Sequence, residues 1–113
     1  MTQPSPPPHA PTILIDAWKR FSSDAWKQYG DAPSTEQSRA DENLLSTCIG
    51  DTPAAIAAKL RYALYLNASE PWLQSAALGA EVPGFADMLA ADDTINETIW
   101  SAIQSLEAME ARP

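Results

Sequence analysis

Few side chains in this sequence carry the groups that catalyse covalent chemistry. The chain has one histidine, His9, and one cysteine, Cys48. A cysteine nucleophile needs a base beside it, and His9 stands in a Pro-rich segment that we do not expect to fold. Cys48 lies on the same helical stripe as Leu44, which is typical of a small buried hydrophobe rather than a reactive thiol. The sequence therefore predicts that this protein is not an enzyme.

The densest group of carboxylates is better explained by helix capping than by metal binding. It comprises Asp87, Asp92, Asp93 and Glu97, whereas a calcium loop places its acids at alternate positions around a central glycine. Thr94 and Glu97 fit a capping box at a helix start. Asp92 and Asp93 precede that start, where carboxylates favour the positive end of the helix dipole. We expect no metal and no cofactor.

The distribution of charge is more informative than its sum of −8, from 15 acids and seven bases. Residues 1–61 contain seven acids and six bases, whereas residues 62–111 contain eight acids and no base. A net negative chain repels phosphate, so direct nucleic-acid binding is disfavoured. The acidic second half could form a surface that binds a basic partner or that imitates a nucleic-acid backbone. The alternative is that these acids only keep the protein soluble.

Trp100 is the aromatic residue that fits its helix least well. At about 100° per residue it falls away from the stripe of Ile95, Ile99 and Leu106. Either a partner covers its ring, or the neighbouring loop around Phe85 packs over it. Two further aromatic residues on the third predicted helix raise the same question. The predicted contact surface consists of Trp100, Glu97, Glu107, Tyr62 and Tyr65.

These residues must be positioned by helices, because apolar residues recur at helical spacing along the chain. Ser34 with Gln37 forms a capping box for a second helix, and Thr52 followed by Pro53 marks the start of a third. One or two further turns are expected around Phe85. The predicted helical segments are 12–30, 34–50, 52–67, 71–79 and 94–111.

The third predicted helix is apolar on two nearly opposite faces. One face comprises Ile56, Leu60, Ala63 and Leu64, and the other comprises Ala58, Tyr62 and Tyr65. A helix that is apolar on both sides is usually central. We therefore expect this helix to lie in the middle of the fold.

The fold class predicted from these patterns is all-α, a compact bundle of four to five helices. The chain has one valine and 20 alanines, and no run alternates as a strand does. Residues 1–11 hold five of the ten prolines and are predicted to form a disordered tail, with residues 12–113 as a single helical domain. No segment has the signature of a signal peptide or membrane span, so we expect a cytoplasmic protein without membrane contact.

The stretch from Thr52 to Arg61, Thr-Pro-Ala-Ala-Ile-Ala-Ala-Lys-Leu-Arg, resembles a pattern in small uncharacterised alphaproteobacterial helical proteins. In that group the stretch reads Thr-x-Ala-Gly-aliphatic-Ala-Ala-Lys-Leu-Arg, and Ala55 stands here in place of the glycine. The resemblance extends over residues 12–66. It implies a helical fold and brings no activity or site residues with it.

These observations favour a small, acidic, non-enzymatic helical protein that acts by contact with another protein. A second copy of the chain is one option for that partner. The alternative is an acidic inhibitor that occupies a basic site on a nucleic-acid-handling protein.

Overall fold

The computed structural model describes residues 10–27, 36–50 and 52–111, and within them every regular element is an α-helix. The all-α prediction is confirmed. These described ranges contain six helices rather than four to five, because the expected turns around Phe85 form a helix of their own. In chain order they are α1 (Ala10–Lys27), α2 (Glu36–Thr47), α3 (Pro53–Asn67), α4 (Pro71–Ala77), α5 (Phe85–Ala90) and α6 (Thr94–Ala111).

The helix starts agree with the sequence at α3 and differ from it at α1. Thr52 adopts the extended conformation of an N-cap, and its hydroxyl accepts a hydrogen bond from the Ala55 N–H at 3.3 Å. Helix α1 begins at Ala10, so residues 10 and 11 are helical and do not belong to the predicted tail. Residues 1–9 and the predicted cap Ser34 lie outside the described residues.

Helix α6 is capped by a different side chain from the one predicted. The Asp93 carboxylate accepts a hydrogen bond from the Ile95 N–H at 2.8 Å, and Thr94 is already the first helical residue. Asp93 therefore does what the capping-box interpretation assigned to Thr94. A carboxylate is the stronger acceptor for these N–H groups, and it also favours the positive end of the helix dipole.

Helix α3 is central, as its two apolar faces predict. It packs against α1, α2, α4 and α6, while α5 packs on α6. The chain reverses between α4 and α5 through Gly79 and Gly84, whose φ angles of +104° and +72° favour glycine. No described helix is long and apolar enough to cross a bilayer.

Two hydrophobic clusters meet at α3. The first lies between α1, α2 and α3, and its buried members are Leu14, Ala17, Leu45, Ala55, Ala58 and Tyr62. The second lies between α3, α4, α5 and α6, and its buried members are Leu64, Ala68, Leu73, Ala77, Leu89 and Ile103. Each cluster closes one side of α3.

A buried carboxylate joins α1 to α2 beside the first cluster. Asp41 is 0% exposed and accepts hydrogen bonds from Arg20 Nη2 at 2.8 Å and from Gln37 Nε2 at 3.0 Å. Arg20 Nε adds contacts of 3.1 Å to both carboxylate oxygens. The hydrogen bonds that Arg20 donates to Asp41 raise the pKa of Arg20 above its ordinary value. Without such partners, burying the carboxylate would cost several kcal/mol.

Candidate functional site

Trp100 packs within its own chain, which is the second of the two alternatives set by the sequence. Its ring meets Phe85 edge-on with centroids 4.8 Å apart, and the guanidinium of Arg61 lies 5.2 Å from the ring centroid. Both contacts match the charge distribution of an indole ring, which attracts cations at its face. Trp100 is therefore half-buried by α3 and α5.

Arg61 connects Trp100 to a second predicted residue, Glu107. Arg61 Nε and Nη2 donate to the two Glu107 oxygens at 2.8 and 2.9 Å. Arg61 Nη1 also donates to the carbonyls of Ala76 and Ala77, at 3.1 and 3.0 Å, at the end of α4. Glu107 is thus held in a two-pronged ion pair across α3 and α6.

Tyr62 and Tyr65 both contact α1 through Phe21. Tyr62 is 8% exposed, and its hydroxyl donates to Glu42 at 3.0 Å. Burial, and then the bond to Glu42, raise the pKa of Tyr62 to about 12. Both tyrosine rings meet Phe21 edge-on, at 5.2 and 5.6 Å between centroids. Tyr65 is half-buried and also packs against the second cluster.

The structure therefore brings together only part of the predicted contact surface. Trp100 and Glu107 share Arg61, whereas Tyr62 and Tyr65 belong to the packing around Phe21. The fifth residue, Glu97, is exposed one turn before Trp100 on α6.

A different surface emerges from the large hydrophobic side chains that solvent reaches. Among the described residues there are five: Ile49 (82% exposed), Ile56 (37%), Leu66 (57%), Ile95 (62%) and Met109 (54%). Scattered single hydrophobics are ordinary on a protein surface, but a contiguous group indicates a contact site. Their relative positions therefore decide their meaning.

The contacts between α3 and α6 fix these positions. The N–H of Ala54 donates to Glu110 at 3.2 Å and Arg61 binds Glu107, while Leu64 and Ile103 share the buried second cluster. The two helices are therefore antiparallel neighbours. Their charged contacts all lie on one side of the pair.

The exposed hydrophobics lie on the other side of the same pair. At about 100° per residue, Ile56 and Ala63 are turned more than 90° from Arg61 on α3. Ala102 and Met109 are turned equally far from Glu107 on α6. Because the helices are antiparallel, these two surfaces adjoin and form one apolar layer, with half-buried leucines between them. We call this layer the open face: Ile56, Leu60, Ala63, Ile95, Ala102, Leu106 and Met109.

Ile49 stands at the border of the open face. It follows α2 and precedes Gly50, where an added Cβ would lie 3.3 Å from Ile56 Cγ1. Of the five exposed large hydrophobics of the described residues, Ile56, Ile95 and Met109 thus lie on the open face. Ile49 and Leu66 flank it, and Leu66 is turned about 60° from Ala63 on α3.

No member of the open face is charged, and the nearest cation is drawn away from it. Lys59 follows Ile56 by less than one turn, but its Nζ donates to the carbonyls of Leu45 and Cys48 at 2.7 and 2.6 Å. These carbonyls lie at and just beyond the end of α2, where a cation favours the helix dipole. Lys59 therefore serves α2 and leaves the apolar layer uncharged.

The opposite side of the helix pair borders a groove of about 440 Å³ between α1, α3 and α6. Its apolar wall includes Trp18, Ala54 and Ala57, and its charged lining residues are Lys19, Arg61, Glu107 and Glu110. Two cations and two carboxylates offset each other there. The groove therefore favours neither an anion nor a cation.

The sequence analysis missed the open face because it assigned those residues to the interior. Ile56, Ala63, Ile95 and Met109 lie on stripes that predict core packing, yet solvent reaches all four. The available signal was the second apolar side of α3, which requires a covering element. Helix α6 covers only part of that side, because Leu64 is buried in the second cluster whereas Ile56 and Ala63 remain exposed.

The described residues also show the surroundings of the chemically reactive groups. Cys48 is half-buried, and its thiol lies 3.8 Å from the Ile49 carbonyl. His9 lies outside the described residues. Within residues 10–27, 36–50 and 52–111, no three metal-ligating side chains of the His, Cys, Asp and Glu types are placed to share an ion.

Comparisons with protein-family models, with curated proteins and with solved structures yield no match to this chain.

Proposed function

We propose that this protein acts by protein–protein contact, without catalysis, and that the open face is its contact surface. One observation carries the proposal: the five large exposed hydrophobics of the described residues gather on or beside the same layer of α3 and α6. Covering such side chains with a partner removes apolar surface from water, which is the main favourable term in protein association.

The chemistry of the open face also suits an apolar partner. The ammonium group of Lys59 is hydrogen-bonded to carbonyls at the end of α2. Glu107 is ion-paired with Arg61 on the far side of α6. A partner can therefore dock without stripping water from an unpaired charge, which would cost several kcal/mol.

A matched pair of variants tests this proposal. Ala63, on the open face, and Ala108, elsewhere on α6, are both exposed helical alanines. Immobilised full-length protein is used to capture binding proteins from native cell extract. Copies of the same protein in that extract are counted among the proteins that can be captured. We expect Ala63→Glu to lose the bound proteins and Ala108→Glu to keep them. Equal capture by both variants would show that the open face is not the contact surface.

A second candidate function is the acidic inhibitor, favoured by the charges of the second half. Of the eight acids in residues 62–111, only Glu107 forms an ion pair among the described residues. Asp87 and Glu97 are exposed. Binding to a basic nucleic-acid-handling protein that weakens steeply with salt, is competed by DNA and is lost in Asp87→Asn/Glu97→Gln would support this function.

A further inference from the structure

We infer that a cavity between α4, α5 and α6 binds the guanidinium group of an arginine side chain on a basic protein partner. The cavity has a volume of about 500 Å³, within the range of roughly 300–1,000 Å³ that is typical of ligand sites. None of its lining residues belongs to the open face. The inference therefore goes beyond the contact proposed for the open face and is tested apart from it.

Two aromatic rings form a corner of this cavity. Phe85 and Trp100 both line it, with ring centroids 4.8 Å apart and ring planes inclined at 67°. Aromatic rings attract cations through the negative charge of their faces, and arginine suits them because its guanidinium is planar and weakly hydrated. The other walls are mostly apolar and comprise Ala76, Ala80, Val82 and Pro83.

Glu81 is the charged residue among those that line the cavity. Its side chain is exposed and makes no ion pair within the described part of the chain. Residues 62–111 contain eight acids and no base, so no cation from that segment neutralises Glu81. A carboxylate beside aromatic rings favours a cation that can donate hydrogen bonds to it.

The molecule already binds one guanidinium with this combination of groups. Arg61 lies 5.2 Å from the centroid of the Trp100 ring and donates to both oxygens of Glu107. It reaches the ring from α3 and does not line the cavity, and its charge is balanced by Glu107. The cavity offers a second guanidinium the same two groups, a ring and a carboxylate. Arginine is favoured over lysine, because its fork of N–H groups can bind both oxygens of Glu81.

The first test measures binding of a small probe to the full-length protein at low salt. The probe is the peptide Gly-Arg-Gly with blocked ends, and matched peptides carry lysine or citrulline in place of arginine. Citrulline keeps the shape of arginine without its charge. Binding is followed by NMR through the indole N–H signal of Trp100, which is assigned by its loss in Trp100→Phe. We expect millimolar binding of the arginine peptide, weaker binding of the lysine peptide and no binding of the citrulline peptide.

A matched pair of variants locates the carboxylate that binds the probe. Glu81→Gln removes the cavity carboxylate, and Glu70→Gln removes another exposed carboxylate, which precedes α4 and does not line the cavity. The Glu70 side chain makes no capping hydrogen bond, so neither change should disturb the fold. We expect Glu81→Gln to weaken binding of the arginine peptide by about 3- to 5-fold and Glu70→Gln to leave it nearly unchanged.

A third variant tests the aromatic wall. Phe85→Leu keeps an apolar side chain and removes one ring, and we expect it to weaken binding of the arginine peptide by about 3-fold. Circular dichroism checks that this variant is still helical. Unchanged binding in folded Phe85→Leu would show that the ring of Phe85 does not contribute to the site.

Four other results would overturn the inference. Equal weakening by Glu81→Gln and Glu70→Gln would mean that the acidic half attracts cations in general. Equal affinity for the citrulline or the lysine peptide would show that the guanidinium is not recognised. An arginine peptide that leaves the Trp100 signal unmoved would place any binding elsewhere. Tighter binding of free arginine than of the peptide would make the amino acid, rather than a protein side chain, the ligand. None of these results bears on the open face, which is tested by capture with Ala63→Glu.

Discussion

The two sides of α3 are similarly apolar in sequence and very different in the structure. On one side, Ala55, Ala58 and Tyr62 are buried beneath α1 and α2. On the other side, Ile56 and Ala63 face solvent. The covered side is bordered by polar contacts that tie neighbouring helices together, such as those between Tyr62 and Glu42 and between Lys59 and the end of α2. Apolar periodicity thus marks a surface that avoids water without specifying which molecule covers it.

The largest stability effect is expected from removing the ion pair between Arg20 and Asp41, which joins α1 to α2 on the covered side. Arg20→Ala leaves the fully buried carboxylate of Asp41 with Gln37 as its remaining partner among the described side chains. We expect the free energy of unfolding to fall by about 3 kcal/mol, because an unpaired buried charge is costly. Urea denaturation at neutral pH measures this.

Removal of the other member of the ion pair, Asp41, serves as the control. Asp41→Ala leaves the Arg20 side chain, which is 46% exposed and can reach water. Its expected cost is smaller, about 1–2 kcal/mol. Equal losses in the two variants would show that burial of Asp41 does not set the energy of the pair.

The next effect concerns Tyr62, also on the covered side. Its pKa is raised from 10.0 to about 12, so its folded environment disfavours the tyrosinate. This contribution is fully present below pH 10 and is lost as the pH rises toward 12. We expect the wild type to lose about 2 kcal/mol more than Tyr62→Phe over that range. Parallel stability curves for the two proteins would contradict this expectation.

A smaller effect is expected at the edge between the two sides. Lys59→Met keeps the apolar stem but removes the Nζ that binds the Leu45 and Cys48 carbonyls. Loss of this C-terminal cap on α2 should cost about 1 kcal/mol. Thermal unfolding followed by circular dichroism measures it. An unchanged midpoint would mean that water replaces the ammonium group without penalty.

The smallest stability effect is expected on the open side. Ile56→Asn and Leu66→Asn replace side chains that are 37% and 57% exposed. At protein concentrations too low for association, each should change the free energy of unfolding by about 0.5 kcal/mol or less. A loss comparable to that of Arg20→Ala would show that the open face is part of the core.

Much of the fold is predictable from local sequence signals, because those signals act within one turn of helix. Thr52 and Pro53 specify the start of α3 through a hydroxyl acceptor and a preset φ angle. At α6, Asp93 and Thr94 are both plausible caps, and only the backbone geometry selects Asp93. The turns expected around Phe85 form α5, which has only six residues, too few for a helical period to define it as a separate helix.

The candidate site is less predictable, because it depends on which helices become neighbours. Trp100 stands off the stripe of its own helix, but its partners Arg61 and Phe85 come from α3 and α5. The open face has the same origin. Each of its helices presents an ordinary core stripe, and exposure arises only from the way the two helices pack. Periodicity within one helix cannot supply that information.

The position of Arg61 has a consequence for how the molecule can be divided. Residues 62–111 contain no base, so the guanidinium that binds Glu107 and the end of α4 must come from α3. A fragment that starts after α3 would lose this counterion together with the cation above the Trp100 ring. We therefore expect a C-terminal fragment to be more stable when it retains α3 than when it starts after α3.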